Sequence, residues 1–536
     1  MKRFTPTLLV LFTLIGVFIG ICISKESPKT IIIAPETNKI DELMKMVRHS
    51  YVDTLDMTQI IEETMPKILE ELDPHSKYIP LKELEATNAD LASSFSGIGI
   101  RFTIQEDTVN ISDVIRGGPS EQIGLMPGDC IVKVNDTLFV GDVCTNENAM
   151  KKLKGPKGTK VKVSVKRYGE KDLLHFNIVR GDIPVESVEA AYIIDNKWGY
   201  MMVERFAENT FTEFFIALAK FLKNNCQGVI VDLRGNGGGY MGVALQMANE
   251  FLQKGDVIVY TEGANSPRST EYANGRGNLQ KIPLVILVDE TSASASEILA
   301  GTIQDNDRGT IIGRRTFGKG LVQQPLTFSD GSAVRLTVAR YHTPSGRCIQ
   351  KPYTKGDNEE YAKDIIYRYE RGEFFSQDSI HQNDTLVYHT RMGRTVYGGG
   401  GIMPDIFVSS DTTHFTPYLS SVTSKRLPMM FAMRYCKEHR HELEKFNGYE
   451  QLVAHLSAQP IVDNFINFAK SKGVDAPKTQ IAKTRKMLLE SLSAHIIYNI
   501  QGMQEYVEYI NLRDATVLKA IEVLEKGETF PKKENN

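Results

Sequence analysis

Little in the charge balance of this chain calls for a polyanionic partner. Its 536 residues carry 63 Lys and Arg against 66 Asp and Glu, a net charge of -3, which gives no reason to expect nucleic acid. Cysteine is scarce too. The six, Cys22, Cys130, Cys144, Cys226, Cys348 and Cys436, are scattered, and none is spaced C-x-x-C. That argues against a disulfide framework and for buried free thiols. No H-E-x-x-H occurs, so the helix that carries zinc in many metalloproteases is missing. His439 and His441 stand close together but read as part of a solvated helix face. No internal repeat is found, and neither a metal nor a cofactor is expected.

What is present is long and heterogeneous. A chain of this length exceeds one ordinary core and suggests three or four units. Its 41% hydrophobic and 24% charged content is that of a globular protein. Lys2 and Arg3 precede an uncharged apolar run from Leu8 to Ile23, the pattern of an export signal or a membrane anchor over 1–24. Either form places the rest of the chain outside the cytoplasm, with residues 8–23 as the membrane contact. Ile40, Leu43, Met44 and Val47 recur at helical spacing, as do Ile60, Ile61, Met65, Ile68 and Leu69, so 36–90 reads as a helical segment. Short strands separated by Gly-Gly-Pro and Met-Pro-Gly-Asp turns make 91–181 a β-rich domain. Strands and helices alternate through 182–410, which predicts an α/β core with a mainly parallel sheet. Residues 411–536 read as a helical extension.

The chemistry concentrates after Pro283. The apolar strand Leu284–Val288 runs into Asp289-Glu290-Thr291-Ser292-Ala293-Ser294-Ala295-Ser296-Glu297, and a helix follows. A serine on a sharp strand-to-helix turn is pushed out of the sheet, and the first helical N–H groups face its reaction partner. The Ala295 N–H is then a natural oxyanion donor. The same letters, Ser294 and Glu297, also make an S-x-x-E capping box, which many helices carry without catalysing anything. A serine nucleophile needs a base. Lys319 lies between Gly318 and Gly320 with Phe317 and Leu321 nearby, and desolvation there lowers a lysine pKa. Gln323 can orient that lysine through its side-chain oxygen. Upstream, Val231-Asp232-Leu233 leads into Arg234-Gly235-Asn236-Gly237-Gly238-Gly239. No Gly-Lys-Ser/Thr follows, and Tyr240 takes the third glycine's place in a dinucleotide fingerprint. The glycines allow close backbone approach to a ligand, or simply a tight turn. In the β-rich domain, Ser96-Gly97-Ile98-Gly99-Ile100 can expose successive N–H groups to a peptide carboxylate while the adjacent strand edge pairs with the peptide.

Together these segments resemble the carboxy-terminal processing peptidases, or tail-specific proteases, from about Ile40 to Val408. The resemblance is carried in order by Leu72-Asp73-Pro74-His75-Ser76, Phe95 to Ile100 with Gly117-Gly118-Pro119-Ser120 and Gly128-Asp129, and Asp232-Leu233-Arg234 with Gly238-Gly239. It continues through Ser292 to Glu297, Thr316 to Gln323, Tyr341 to Gly346, and Gly400 to Asp405. It implies an α+β multidomain protein: a helical N-terminal segment, a PDZ domain, an α/β peptidase core and a helical C-terminal domain. It further implies Ser294 as nucleophile, Lys319 as general base and Gln323 as the lysine's positioner. Lys319 follows Ser294 by 25 residues and Gln323 follows by four more, the family's spacing. Gly238 and Ala295 would supply the oxyanion hole, and Gly97, Ile98, Gly99 and Ile100 would hold a substrate C-terminus. Where the family usually has Asn-Pro-Gly-Gly, Asn236 is followed here by Gly237. The helical tail lies outside the shared core and reads as a dimerisation element, a lid or an adaptor contact.

The expected function is therefore a cell-envelope serine endopeptidase, periplasmic and either free or anchored, acting on proteins with accessible C-termini. The alternative is a catalytically inactive PDZ-bearing binding protein, which predicts a broken dyad. A Ser-His-Asp hydrolase using His342 is a further rival, but its Tyr-His-Thr-Pro context reads as a strand end and turn.

Overall fold

The computed structural model describes residues 38–89, 94–411 and 416–530. The apolar run 8–23 and Cys22 lie outside them. Among the described residues no helix is long and apolar enough to cross a membrane. They fall into two compact units, 38–65 and 66–530. The first holds α1 (Lys39–Ser50), whose N-cap Asn38 accepts the Ile40 N–H, and the start of α2 (Met57–Glu70).

In the second unit, β1 (Lys77–Ile79) and α3 (Leu81–Ala89) lead to β2 (Ser94–Gly97), β3 (Ile100–Gln105) and β4 (Thr108–Val114). Then come α4 (Pro119–Gln122), β5 (Cys130–Val134), β6 (Thr137–Leu138), α5 (Asn146–Leu153), β7 (Lys160–Lys166), β8 (Leu174–Val179) and β9 (Gly181–Pro184). The strands from β3 to β8 form one antiparallel sheet in the order β3-β4-β5-β7-β8, with β6 on β5. Alternation places Val109, Ile111, Ile131, Val161, Val163 and Val165 in its core, all essentially without exposure. This is the β-rich domain the turns predicted.

The α/β core begins with β10 (Val188–Ile194) and β11 (Trp198–Val203), then α6 (Thr210–Lys223), β12 (Gly228–Asp232) and α7 (Met241–Asn249). The hairpin β13 (Val257–Gly263) and β14 (Ser266–Tyr272) precedes β15 (Leu284–Val288), α8 (Ala295–Asp305) and β16 (Thr310–Gly313). Next are β17 (Leu321–Thr327), β18 (Ala333–His342), α9 (Asn358–Glu370), β19 (Val387–His389), β20 (Thr395–Tyr397) and β21 (Ile406–Phe407). The central sheet runs β10-β11-β12-β15-β16-β21, parallel from β11 to β21. Its β12 and β15 are buried throughout, as continuous apolar runs covered on both faces require. Helices α6, α7 and α8 cover one face.

The remaining helices are α10 (Pro417–Ser424), α11 (Leu427–Leu443), α12 (Tyr449–Ala458), α13 (Ile461–Ser471), α14 (Lys478–Ile500), α15 (Met503–Asn511) and α16 (Ala515–Lys526). Read as one extension in the sequence, they divide between two cores. Helices α10 to α14 gather around Phe431, Leu452, Phe465 and Leu488. Helix α16 instead lays Val517, Ala520, Val523 and Leu524 on the second face of the central sheet, against Trp198, Tyr200, Ile230, Val285 and Leu287.

Candidate active site

Three adjacent parallel strands deliver the site. The loops leaving the C-terminal ends of β12, β15 and β16 carry Gly238, Ser294 and Lys319, the end at which open α/β sheets hold their ligands. A cavity of about 1110 Å³ lies at the opposite strand ends, between Trp198, Pro283 and Arg308, and contains none of these residues.

Ser294 has φ 57° and ψ -115°, a conformation costly for any residue with a Cβ. An ordinary N-cap is extended, so this turn departs from simple capping. The Ser294 hydroxyl makes no cap hydrogen bond. The Ser294 N–H donates to Glu297 Oε2 at 2.9 Å, while the Glu297 N–H goes to the Ser294 carbonyl at 2.9 Å. The strained turn is thus held by its neighbours, leaving the hydroxyl available.

Gly238 lies against this turn. A Cβ there would sit 2.7 Å from the Ala293 carbonyl, 2.8 Å from Ser294 Cβ and 3.0 Å from the Ala295 nitrogen, and its φ is +102°. Only glycine satisfies both the space and the backbone. The Ala295 N–H, first in α8, has no hydrogen-bond acceptor among the described residues. The Gly238 N–H does have one: it donates to Asn236 Oδ1 at 2.8 Å. The two backbones expected to form an oxyanion hole are brought together, with one donor open and the other engaged. Asn236 is fully buried. Its Nδ2 donates to the Val203 carbonyl at 2.8 Å, and its own carbonyl accepts from Ala293 N at 3.0 Å and Ser296 Oγ at 2.9 Å.

Lys319 is largely buried, and that burial, followed by the charge of Arg335, holds its pKa below the ordinary lysine value. Its Nζ donates to Gln323 Oε1 at 3.1 Å. Ser294 Oγ and Lys319 Nζ are not joined by a hydrogen bond here, as is common before substrate binds. His342 is engaged elsewhere, stacked on Tyr260 at 4.6 Å and bonded through Nδ1 to the Gly346 carbonyl at 3.1 Å.

In the PDZ region, Gly97 ends β2 opposite Gly181. Ile98 is buried in the domain core, Gly99 turns at φ +79°, and Ile100 opens β3.

Comparison with known proteins identifies the family. Residues 197–359 match peptidase family S41, residues 96–178 a PDZ domain, and residues 418–502 a family of unknown function. A carboxy-terminal-processing protease of Bartonella bacilliformis is 33% identical over 317 residues, covering 58% of this chain and 72% of that protein. The carboxy-terminal processing protease CtpA of Bacillus subtilis is 34% identical over 331 residues, covering 61% and 70%. The chain belongs to the carboxy-terminal processing proteases. Among solved structures, a photosystem II D1 C-terminal processing protease is 24% identical, covering 70% of this chain and 94% of that one at a TM-score of 0.36.

Around these residues stand others that the sequence left without partners. Glu297 is fully buried and joins the Ser294 turn to the lysine loop. Its Oε2 accepts the N–H groups of Ser294 at 2.9 Å and Lys319 at 2.8 Å, and its Oε1 accepts Gly318 N at 2.7 Å and Thr316 Oγ1 at 2.5 Å. Burial pushes its pKa up to about 7, against the pull of those hydrogen bonds. Tyr341, also buried, donates its hydroxyl to the Lys319 carbonyl at 2.6 Å and lies 3.2 Å from the Ser294 carbonyl. Gln323 is oriented by a distant segment, since its Nε2 donates to the His75 carbonyl. That segment is knotted by Asp73, whose carboxylate accepts His75 N at 2.8 Å, Ser76 N at 2.9 Å, Ser76 Oγ at 2.6 Å and Thr337 Oγ1 at 3.0 Å. With the Gln323 amide nitrogen so committed, its oxygen must face Lys319. The signal for Glu297 was present in the capping-box spacing. Tyr341 and Asp73 stood in family motifs, but nothing local gave them partners.

Proposed function

We propose that this protease is an exported, cell-envelope endopeptidase that cuts proteins near their C-termini, with Ser294 as nucleophile and Lys319 as general base. The observation that carries the reading is the strained Ser294 turn beside an open Ala295 N–H, with a buried, Gln323-held lysine on the adjacent strand end. Neutral Lys319 takes the Ser294 Oγ proton as Oγ attacks the peptide carbonyl. The oxyanion forms at the Ala295 N–H, and Gly238 adds a second donor once its N–H leaves Asn236. Protonated Lys319 then gives its proton to the leaving amine, releasing the C-terminal fragment. Water, deprotonated by Lys319, hydrolyses the acyl-enzyme, and the proton returns to Ser294 Oγ. The Gly97–Ile100 turn and β3 take up the substrate's C-terminus. The apolar run 8–23 supports export.

The test is cleavage of an unfolded protein with an apolar C-terminus. Ser294→Ala and Lys319→Ala, each shown to be folded, are expected to lose at least about a thousandfold in rate. Cleavage that persists in Ser294→Ala removes the assignment. Inactivity of the parent protein as well would favour the binding-protein reading.

A further inference from the structure

The helical region that matches a family of unknown function stands on the PDZ domain at a telling place. Strand β3 ends its sheet, so one side of its main chain has no strand partner. Its alternate residues, which share one face, are held by the helical unit. Arg101 Nη1 meets Tyr498 Oη at 3.4 Å, and Thr103 Oγ1 and Gln105 Nε2 meet Met433 Sδ at 3.6 and 3.1 Å. Lys472 pairs with Glu106 at 3.0 Å across the same junction. The helices therefore grip the outward face of β3. Beside it remains a groove of about 250 Å³, lined by Phe102 to Gln105, by Asn146 at the start of α5, and by Lys425, Arg426, Met429 and Met430 at the α10–α11 junction.

We infer that this groove continues the PDZ site and reads the substrate chain upstream of its C-terminus, taking acidic side chains at Lys425 and Arg426 and apolar ones at Met429 and Met430. The inference rests on the reading that substrate C-termini dock at the Gly97–Ile100 turn. A peptide that starts there and adds antiparallel to β3 reaches Phe102 to Gln105 about three to five residues before its end. Lys425 and Arg426 are exposed, and no ion-pair or side-chain hydrogen-bond partner is found for them among the described residues. Two uncompensated cations beside a free strand edge favour carboxylates. The two methionines give a polarizable wall that adapts to varied apolar side chains.

The experiment uses the full chain carrying Ser294→Ala, so that bound peptide is not cut. Labelled peptides share one apolar free C-terminus and carry either acidic or basic residues at the upstream positions. The acidic peptide is expected to bind about three- to tenfold more tightly than the basic one, with the difference shrinking in salt. Lys425→Glu with Arg426→Glu is expected to invert that ranking, and the gain for the basic peptide guards against a merely misfolded variant. An unchanged ranking after charge reversal overturns the inference. Equal tightening of both peptides also overturns it, because α11 would then obstruct the groove instead of reading its contents. Amidating the peptide C-terminus separates the two claims. If amidation leaves affinity unchanged, end capture at Gly97–Ile100 fails, while the charge ranking still judges the groove.

Discussion

At the scale of single residues, Glu297 ties the Ser294 turn to the Lys319 loop. One carboxylate accepts four donors from the Ser294 turn and the lysine loop. Glu297→Gln presents an NH2 to two of those donors, so it should cost roughly 2–4 kcal/mol of stability and lower kcat about 10- to 100-fold, measured by denaturant unfolding and by cleavage rate. The pH dependence has a definite sign. The Glu297 pKa is raised to about 7 from 4.5, so its contribution is fully present below about 4.5 and is lost as pH rises through about 7. The stability gap between parent and Glu297→Gln should therefore narrow across that window. Activity responds in the opposite sense. In the proposed role Lys319 would act only when neutral, and its depressed pKa brings that form closer to neutral pH. Rates should rise with pH through the lowered lysine value, and a flat acidic profile would count against the lysine as base.

At the scale of elements, a loop and a strand far apart in sequence share one task. The Asp73–Ser76 knot holds the His75 carbonyl, which turns Gln323 so that its oxygen faces Lys319. Asp73→Asn should lower kcat with little change in KM, and Gln323→Ala should do the same. Because one change acts through the other, their effects should fall well short of additive in the double variant. Additive losses would show two separate roles. The local half of this arrangement was legible in advance. Apolar run, turn letters and following helix placed Ser294 on its elbow, and two glycines flanked a lysine. The capping box concealed its second use, because the spacing of Ser294 and Glu297 is the same whether Glu297 binds one N–H or four groups.

At the scale of the whole molecule, the C-terminal helices are shared between two cores. Helix α16 seals the second face of the central sheet, and its N-cap Asp514 binds Arg234 of the glycine-rich loop at 2.8 Å. Ending the chain after Gly502 would uncover Trp198, Tyr200, Ile230, Val285 and Leu287. At about 1.5–3 kcal/mol per large apolar side chain exposed, the loss is comparable to the whole net stability of a typical domain. The truncated protein is expected to be insoluble or to lack a cooperative melting transition, followed by calorimetry. A soluble, active truncation would show that α16 is dispensable to the core.

The sequence alone determined the family and the local elements on which the candidate residues stand, because hydrophobic period, turn residues and strand-to-helix switches act over a few residues. The order of the sheet, the burial that lowers the Lys319 pKa, the meeting of Gln323 with His75 and the seat of α16 on the sheet were decided only by the tertiary structure. Such contacts join residues hundreds of positions apart, 280 for Arg234 and Asp514 and 397 for Arg101 and Tyr498. No local preference records them, since each exists only when packed neighbours hold both partners in place.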